Sequence, residues 1–113
     1  MKEAVILIQP NLILTVMYAI FSVLPNMRAK SEDVLKDDIV SRQSIVMRES
    51  SALGLKDLGL LIMVEGEERA VKRAEELFKD IGKLLVGAQA ADIYQRFKKE
   101  SEDVASGVGM VFG

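Results

Sequence analysis

The sequence predicts one α+β domain that covers residues 1–113, and three observations lead to this prediction. The chain has 113 residues, of which 50% are hydrophobic, which is enough for one core and too few for two independent ones. Short apolar runs bounded by glycine or polar residues, which are typical of buried strands, alternate with segments of helical periodicity. The chain contains no cysteine, so its core must form without disulfides.

The start of the chain is predicted to form a strand, a turn and a long helix. Ala4–Ile8 is an uncharged apolar run, and Gln9-Pro10-Asn11 interrupts it with polar residues and a proline that suits the first turn of a helix. We therefore expect a buried strand over 4–8 and a helix that runs from Pro10 or Asn11 to Leu24.

This predicted first helix carries one narrow polar stripe on an otherwise apolar surface. The members of the stripe, spaced by four, three and four residues, are Asn11, Thr15, Tyr18 and Ser22. A helix that is apolar nearly all round must be covered nearly all round, and in a monomer it would expose a larger apolar patch than is usual. We therefore expect a homo-oligomer, with Thr15, Tyr18 and Ser22 at the subunit interface.

The same segment also fits a membrane anchor. Ala4 to Leu24 is a stretch of 21 consecutive residues without a charge, which is long enough to span a bilayer as a helix. The break at Gln9-Pro10-Asn11 leaves residues 12–24 as the longest uninterrupted part, and that part is too short to span. A soluble domain is the preferred interpretation, and a membrane-associated protein anchored by residues 4–24 is the alternative.

The middle of the chain is predicted to form a short helix and a strand. Ser31 is a suitable N-cap because Glu32 and Asp33 follow it in the first turn, where negative charge suits the helix dipole. The segment from about 39 to 48 fits either a helix face or a strand, and its β-branched residues favour the strand.

The second half of the chain has the clearest pattern. Leu60–Val64 has the size and setting of a buried strand. Apolar residues from Ala70 to Ile81 recur at helical spacing, which predicts an amphipathic helix that Gly82 ends in a left-handed cap. The remaining predicted elements are a strand over 83–87, a helix over about 88–104, and an edge strand or flexible end over 107–113.

Taken in order, these elements resemble the β-α-β-β-α-β order of ferredoxin-like domains, followed by a C-terminal helix. Residues 60–74, LLIMVEGEERAVKRA, resemble the strand and charged helix of ACT-type regulatory modules. The resemblance implies a ferredoxin-like sandwich with a mainly antiparallel sheet. It also implies a small effector at the loop after the first strand, where Gln9, Pro10 and Asn11 would be the ligand-binding residues.

The composition removes most catalytic and metal-binding chemistry. Without histidine or cysteine, the chain has no imidazole base or ligand, no thiol nucleophile and no thiolate metal ligand. Asp37-Asp38 and Glu67-Glu68 fit surface acids better than a cation site, because adjacent side chains diverge. The 15 basic and 17 acidic side chains leave a net charge of −2, without the basic stripe that nucleic acid requires. We expect no cofactor, no metal and no nucleic-acid partner.

These observations favour a cytoplasmic, non-catalytic module that senses a small ligand or binds protein, and that self-associates as a homodimer. The membrane-associated protein is one alternative. The other is an enzyme that uses carboxylate or lysine groups at a dimer interface, for which Lys83, at the boundary of a predicted buried strand, is the best-placed lysine.

Overall fold

A computed structural model describes residues 2–9 and 12–112, and it describes side-chain surroundings for residues 17–100. It confirms the predicted α+β class. The strands are β1 (Lys2–Gln9), β2 (Leu12–Val23), β3 (Ser44–Glu49), β4 (Leu60–Gly66) and β5 (Lys83–Leu85). The helices are α1 (Arg28–Leu35), α2 (Glu68–Phe78) and α3 (Gly87–Phe112).

Four of the strands form the core sheet, in the order β5–β2–β4–β3, and every neighbouring pair is antiparallel. Helix α1 connects β2 to β3, and α2 connects β4 to β5. The elements from β2 to β5 therefore follow the β-α-β-β-α-β order of a ferredoxin-like sandwich. Strand β1 precedes this core, and α3 is the added C-terminal helix that the sequence predicts.

The helix predicted from Pro10 or Asn11 to Leu24 is wrong, because Leu12–Val23 is a strand. From Met17 to Val23 this strand is buried on both faces: Phe21 belongs to the core layer beneath α1 and α2, whereas Ile20 belongs to the layer beneath α3. A strand covered on both faces is apolar at nearly every position, so it lacks the alternation of a half-exposed strand. The polar stripe at helical spacing does not exist, since a strand repeats every two residues.

Strands β1 and β2 form a hairpin that extends beyond the core sheet. Their register runs from Lys2 opposite Tyr18 to Gln9 opposite Leu12. Strand β4 pairs with β2 only from Met17 onward, and β5 pairs with residues 20–22 on the edge that β1 occupies further back. Within the described part of the chain, residues 12–16 therefore pair with β1 alone. We call residues 4–8 and 12–16 the hairpin arm.

The core has two layers, one on each face of the sheet. On one face, α1 and α2 cover the sheet, and the rings of Phe21 and Phe78 stack with centroids 4.3 Å apart. On the other face, α3 packs through Ala90, Ile93 and Phe97. Helix α3 thus closes a sheet face that a two-helix sandwich would leave open to solvent.

Several other predicted elements are confirmed in place and corrected at their ends. The strand at 60–64 and the amphipathic helix after it correspond to β4 and α2. Helix α1 begins three residues before Ser31, whose hydroxyl donates to the Arg28 carbonyl and is not an N-cap. The strand predicted from 39 begins at Ser44, because Val40–Arg42 forms a 3₁₀ turn.

Two predictions near the C-terminus are wrong. Gly82 is not a left-handed cap, and φ is positive at Gly87 instead. Gly82 is needed for space, since a Cβ there would lie 2.9 Å from Val23 Cγ2. The edge strand or flexible end predicted for residues 107–113 is also wrong for most of that stretch, because α3 continues to Phe112.

Among the described residues, no helix is both long enough and apolar enough to cross a bilayer.

Candidate functional site

A row of three polar side chains crosses the sheet on the face that α3 covers. Glu65 on β4 lies directly opposite Ser44 on β3 and directly opposite Tyr18 on β2. Side chains opposite one another in an antiparallel pair share a face, which here is the face of Leu61 and Met63. This row lies at one end of the otherwise apolar layer between the sheet and α3, and the Glu65 carboxylate is the middle member of the row.

The Glu65 carboxylate is bound by two residues of α3. The Tyr94 hydroxyl donates to Oε2 over 2.7 Å, and Lys98 Nζ lies 2.8 Å from Oε1. Lys98 Nζ also lies 5.3 Å from the centroid of the Tyr94 ring, within the range of a cation–π contact. Because the Glu65 side chain is only 13% exposed, these donors compensate a charge that is largely removed from water.

The rings of Tyr18 and Tyr94 stack beside this carboxylate, and both phenols have a raised pKa. Burial is the main cause for each; the hydrogen bond to Glu65 raises the pKa of Tyr94 further, and the negative charge of Glu65 raises that of Tyr18. Both phenols therefore stay protonated near neutral pH, and that of Tyr94 serves as a donor. The buried Tyr18 hydroxyl has no hydrogen-bond partner among the described residues.

A second ion pair joins α3 to the sheet at β3. Arg48 Nε donates to Glu100 Oε1, and another guanidinium nitrogen donates to the Met47 carbonyl over 2.8 Å. Between the two ion pairs lie Val46 and Met63, which are directly opposite each other on β3 and β4. The space above them is a cleft of about 290 Å³, which we call the α3 cleft. Its lining residues are Ser44, Val46, Arg48, Met63, Glu65, Phe97, Lys98 and Glu100.

The α3 cleft combines an apolar floor with two carboxylates and two cations. Among the residues that the structure describes, no group of three or more metal-ligating side chains converges. Each carboxylate is matched by a cation from the opposite wall, so the lining has no net charge. Such a surface suits reversible binding of a ligand that carries charges of both signs.

The residues predicted from the sequence lie away from this cleft or beneath it. Gln9 is at the end of β1, opposite Leu12, while Pro10 and Asn11 lie outside the described residues. Thr15 lies in the part of β2 for which only the backbone is described. Tyr18 is buried under Tyr94. Ser22 is also buried, and its hydroxyl donates to the Leu58 carbonyl.

Sequence reasoning missed the four charged residues of the α3 cleft. One signal for Glu65 was present, since Leu61, Met63 and Glu65 alternate along one face of an obvious strand. A carboxylate at the third of these inward positions needs a partner. No local pattern identified Arg48, Lys98 and Glu100, which meet only when α3 packs on the sheet.

Comparison with protein-family models, with curated proteins and with solved structures finds no match for this chain. The resemblance of residues 60–74 to ACT-type modules therefore remains a prediction from pattern. The function has to be argued from the geometry of the chain itself.

Proposed function

We propose that this chain is a non-catalytic interaction module that self-associates through the hairpin arm. One observation supports the proposal above all: the ten residues of the arm, Ala-Val-Ile-Leu-Ile and Leu-Ile-Leu-Thr-Val, contain no charge, yet they project beyond the core sheet. Among the described elements, β2 is the one against which β1 packs extensively. An isolated two-stranded hairpin is at best marginally stable in water, so this arm requires cover.

A second copy of the chain is the occupant that suits the arm best. The outer edge of β1 carries backbone N–H and C=O groups that pair with no other strand in the described part of the chain. Two β1 strands that pair antiparallel about a two-fold axis through Ile6 would place Val5 opposite Leu7 and Ala4 opposite Ile8. This register pairs only apolar residues at its centre, and a closed two-fold dimer pairs the free edge of β1 so that it cannot bind a further copy.

The location and ligand-sensing role predicted from the sequence belong to the same proposal. We expect the module to act in the cytoplasm and to respond to a small molecule. The effector role predicted for Gln9, Pro10 and Asn11 would place a ligand between β1 and β2 in the sequence, next to the hairpin arm, so that its binding would change the affinity of dimerisation.

Sedimentation of the full chain across a range of concentrations tests the proposal. We expect a dimer at micromolar concentration. A lysine in place of Ile6 should shift the mass to that of the monomer, because Ile6 lies on the proposed two-fold axis and two like charges would then be directly opposite each other in the paired strands. Met47→Lys is the matched control, since Met47 is 44% exposed on β3, at the edge of the core sheet opposite β1, and should leave the dimer intact.

Amide dispersion in an NMR spectrum establishes that each variant keeps its core. A wild-type chain that sediments as a monomer at all concentrations would overturn the proposal. So would a chain that stays monomeric but floats with phosphatidylcholine vesicles, a result that would favour membrane association of the arm.

A further inference from the structure

We infer that the α3 cleft binds a small dipolar molecule, with an ammonium group at one end, a carboxylate at the other and an apolar chain between them. This inference goes beyond the proposed self-association and does not depend on it, because no lining residue of the cleft belongs to the hairpin arm. It depends on the order of charged and apolar groups along the cleft.

The two strands place opposite charges at opposite ends of an apolar floor. Glu65 lies opposite Ser44, and Arg48 follows Ser44 by four residues on β3, which corresponds to about 13 Å of strand. Val46 and Met63 fill the position between them. The sheet thus carries both the carboxylate of Glu65 and the guanidinium of Arg48, with the half-buried Val46 and the buried Met63 in the gap.

Two side chains of α3 already occupy the positions where the ends of the ligand would bind. The Lys98 ammonium lies on the Glu65 carboxylate and near the face of Tyr94, while the Glu100 carboxylate lies on Arg48. An ammonium thus sits at one end and a carboxylate at the other, as they would in the ligand. We regard them as internal stand-ins that a ligand must displace.

Displacement of these stand-ins is feasible because they are anchored at the surface. The Lys98 side chain is 42% exposed and that of Glu100 is 32% exposed, so both can turn into water. The pair between Arg48 and Glu100, which is exposed on both partners to about this degree, contributes little to stability. When Lys98 turns away, the less exposed Glu65 carboxylate keeps the hydrogen bond from Tyr94 and gains the ammonium of the ligand. A ligand that replaces both pairs also covers the half-buried Val46 with its own chain, and this added apolar burial favours the exchange.

Titration of the full-length, isotope-labelled chain with 6-aminohexanoate, followed by NMR, tests the inference. Hexylamine and hexanoate, which each carry one of the two charges, are the matched comparison compounds. We expect amide shifts at β3, β4 and α3, and about tenfold weaker binding of each one-charge compound. Glycine, whose charges are too close together to reach both ends, should also bind more weakly.

Substitutions at the cleft should change the affinity in opposite directions. Glu65→Gln and Arg48→Gln remove the fixed partners and should weaken binding by about tenfold or more. Lys98→Met and Glu100→Gln remove the stand-ins and should tighten binding by roughly two- to fivefold, the range expected for loss of a competing surface ion pair. Tightening distinguishes a ligand site from ion pairs that only hold α3 in place.

An exposed ion pair on another helix serves as the control. Lys72→Met and Glu68→Gln break a pair on α2 and should leave the affinity unchanged. The inference is overturned if millimolar 6-aminohexanoate leaves the amides of the cleft unshifted, or if the one-charge compounds bind equally well. It is also overturned if Glu100→Gln, an exposed change that the fold should tolerate, fails to tighten binding.

Discussion

The phenol ring of Tyr94 lies flat on that of Tyr18, with ring centroids 4.0 Å apart and planes 17° apart. The two hydroxyls have different surroundings. That of Tyr94 donates to Glu65, whereas that of Tyr18 is buried without a partner among the described residues. Removing each hydroxyl in turn keeps both rings stacked. The two variants therefore separate the contribution of the hydrogen bond to stability from the contribution of the stacked rings.

Tyr94→Phe should lower the free energy of unfolding by about 1.5 kcal/mol, because it removes a hydrogen bond to a charged acceptor and keeps the ring. Tyr18→Phe is the matched control and should leave stability unchanged or raise it, since it removes a buried polar atom that makes no hydrogen bond. Urea denaturation of the three proteins measures both differences. Equal losses in the two variants would contradict the different roles of the hydroxyls.

The order of the elements that follow Val23 was predicted from the sequence, whereas the long element before it was predicted as a helix and is a strand. In the stretch from Leu12 to Val23, polar residues happen to recur at helical spacing, and uninterrupted apolar character is shared by buried helices and doubly buried strands. The position of α3 explains the second half of the run, because α3 covers the second face of β2 at Tyr18 and Ile20. The packing of α3 on β2 is a tertiary contact, so no short segment of the sequence indicates it.

The candidate site was even less accessible from the sequence. Arg48 and Glu100 are separated by 52 positions, and Glu65 and Lys98 by 33, so both ion pairs depend on how α3 crosses the sheet. The clearer local signal, at Gln9-Pro10-Asn11, lies between two strands, and the residues from Leu12 onward do not form the helix that this signal predicted. A repeat of two or 3.6 residues in the sequence indicates which side chains share one face of a strand or helix. Which of these faces then contact each other is determined by the tertiary structure.

Two glycines with the same backbone conformation should differ sharply in their tolerance of a side chain. Gly59 and Gly87 have φ values of 66° and 64°. A Cβ on Gly59 would lie 2.5 Å from the Val23 carbonyl oxygen, whereas a Cβ on Gly87 would meet nothing within 4 Å. The first position combines conformational strain with a clash against backbone, and the second has strain alone.

Gly87→Ala should therefore cost about 1 kcal/mol, the usual penalty for a left-handed residue. Gly59→Ala should lower the free energy of unfolding by about several kcal/mol, because the backbone of β2 or of the loop before β4 has to move. Thermal unfolding of the two variants checks the order. If both variants lose the same amount, the close approach of Gly59 to β2 is not part of the native state.

The stacked rings of Phe21 and Phe78 form the centre of the layer between the sheet and α2, and both are fully buried. Phe78→Ala should lower the free energy of unfolding by about 3 to 5 kcal/mol, since it leaves a large cavity where the ring was. Leu24→Ala removes apolar side-chain atoms at a position that is 55% exposed, and its effect should stay within about 0.5 kcal/mol. Denaturant titration monitored by circular dichroism provides both values.

Asp37 ties the loop after α1 to α2 through its two carboxylate oxygens. Arg73 donates to both of them, over 2.7 and 2.8 Å, and the backbone N–H groups of Ile39 and Val40 donate to Oδ2. The hydrogen bonds from Arg73, supported by those from the two backbone groups, hold the pKa of Asp37 well below its ordinary value of 3.8. The folded chain therefore releases this proton more readily than the unfolded chain does.

This difference in pKa determines how stability depends on pH. Above the ordinary value of 3.8, Asp37 is ionised in both states and its full contribution is present; as the pH falls below that value, the unfolded state takes up the proton first and the contribution is lost. Asp37→Asn should thus be less stable than wild type near neutral pH, and the gap should narrow in acid.

Denaturant titrations of wild type and Asp37→Asn at a series of pH values measure this gap. Asp38→Asn is the control. Both side chains of the pair between Asp38 and Arg42 are exposed, and exposed ion pairs contribute little to stability. A gap between wild type and Asp37→Asn that stays constant from neutral pH down to pH values below 3.8 would show that ionisation of Asp37 does not stabilise the fold.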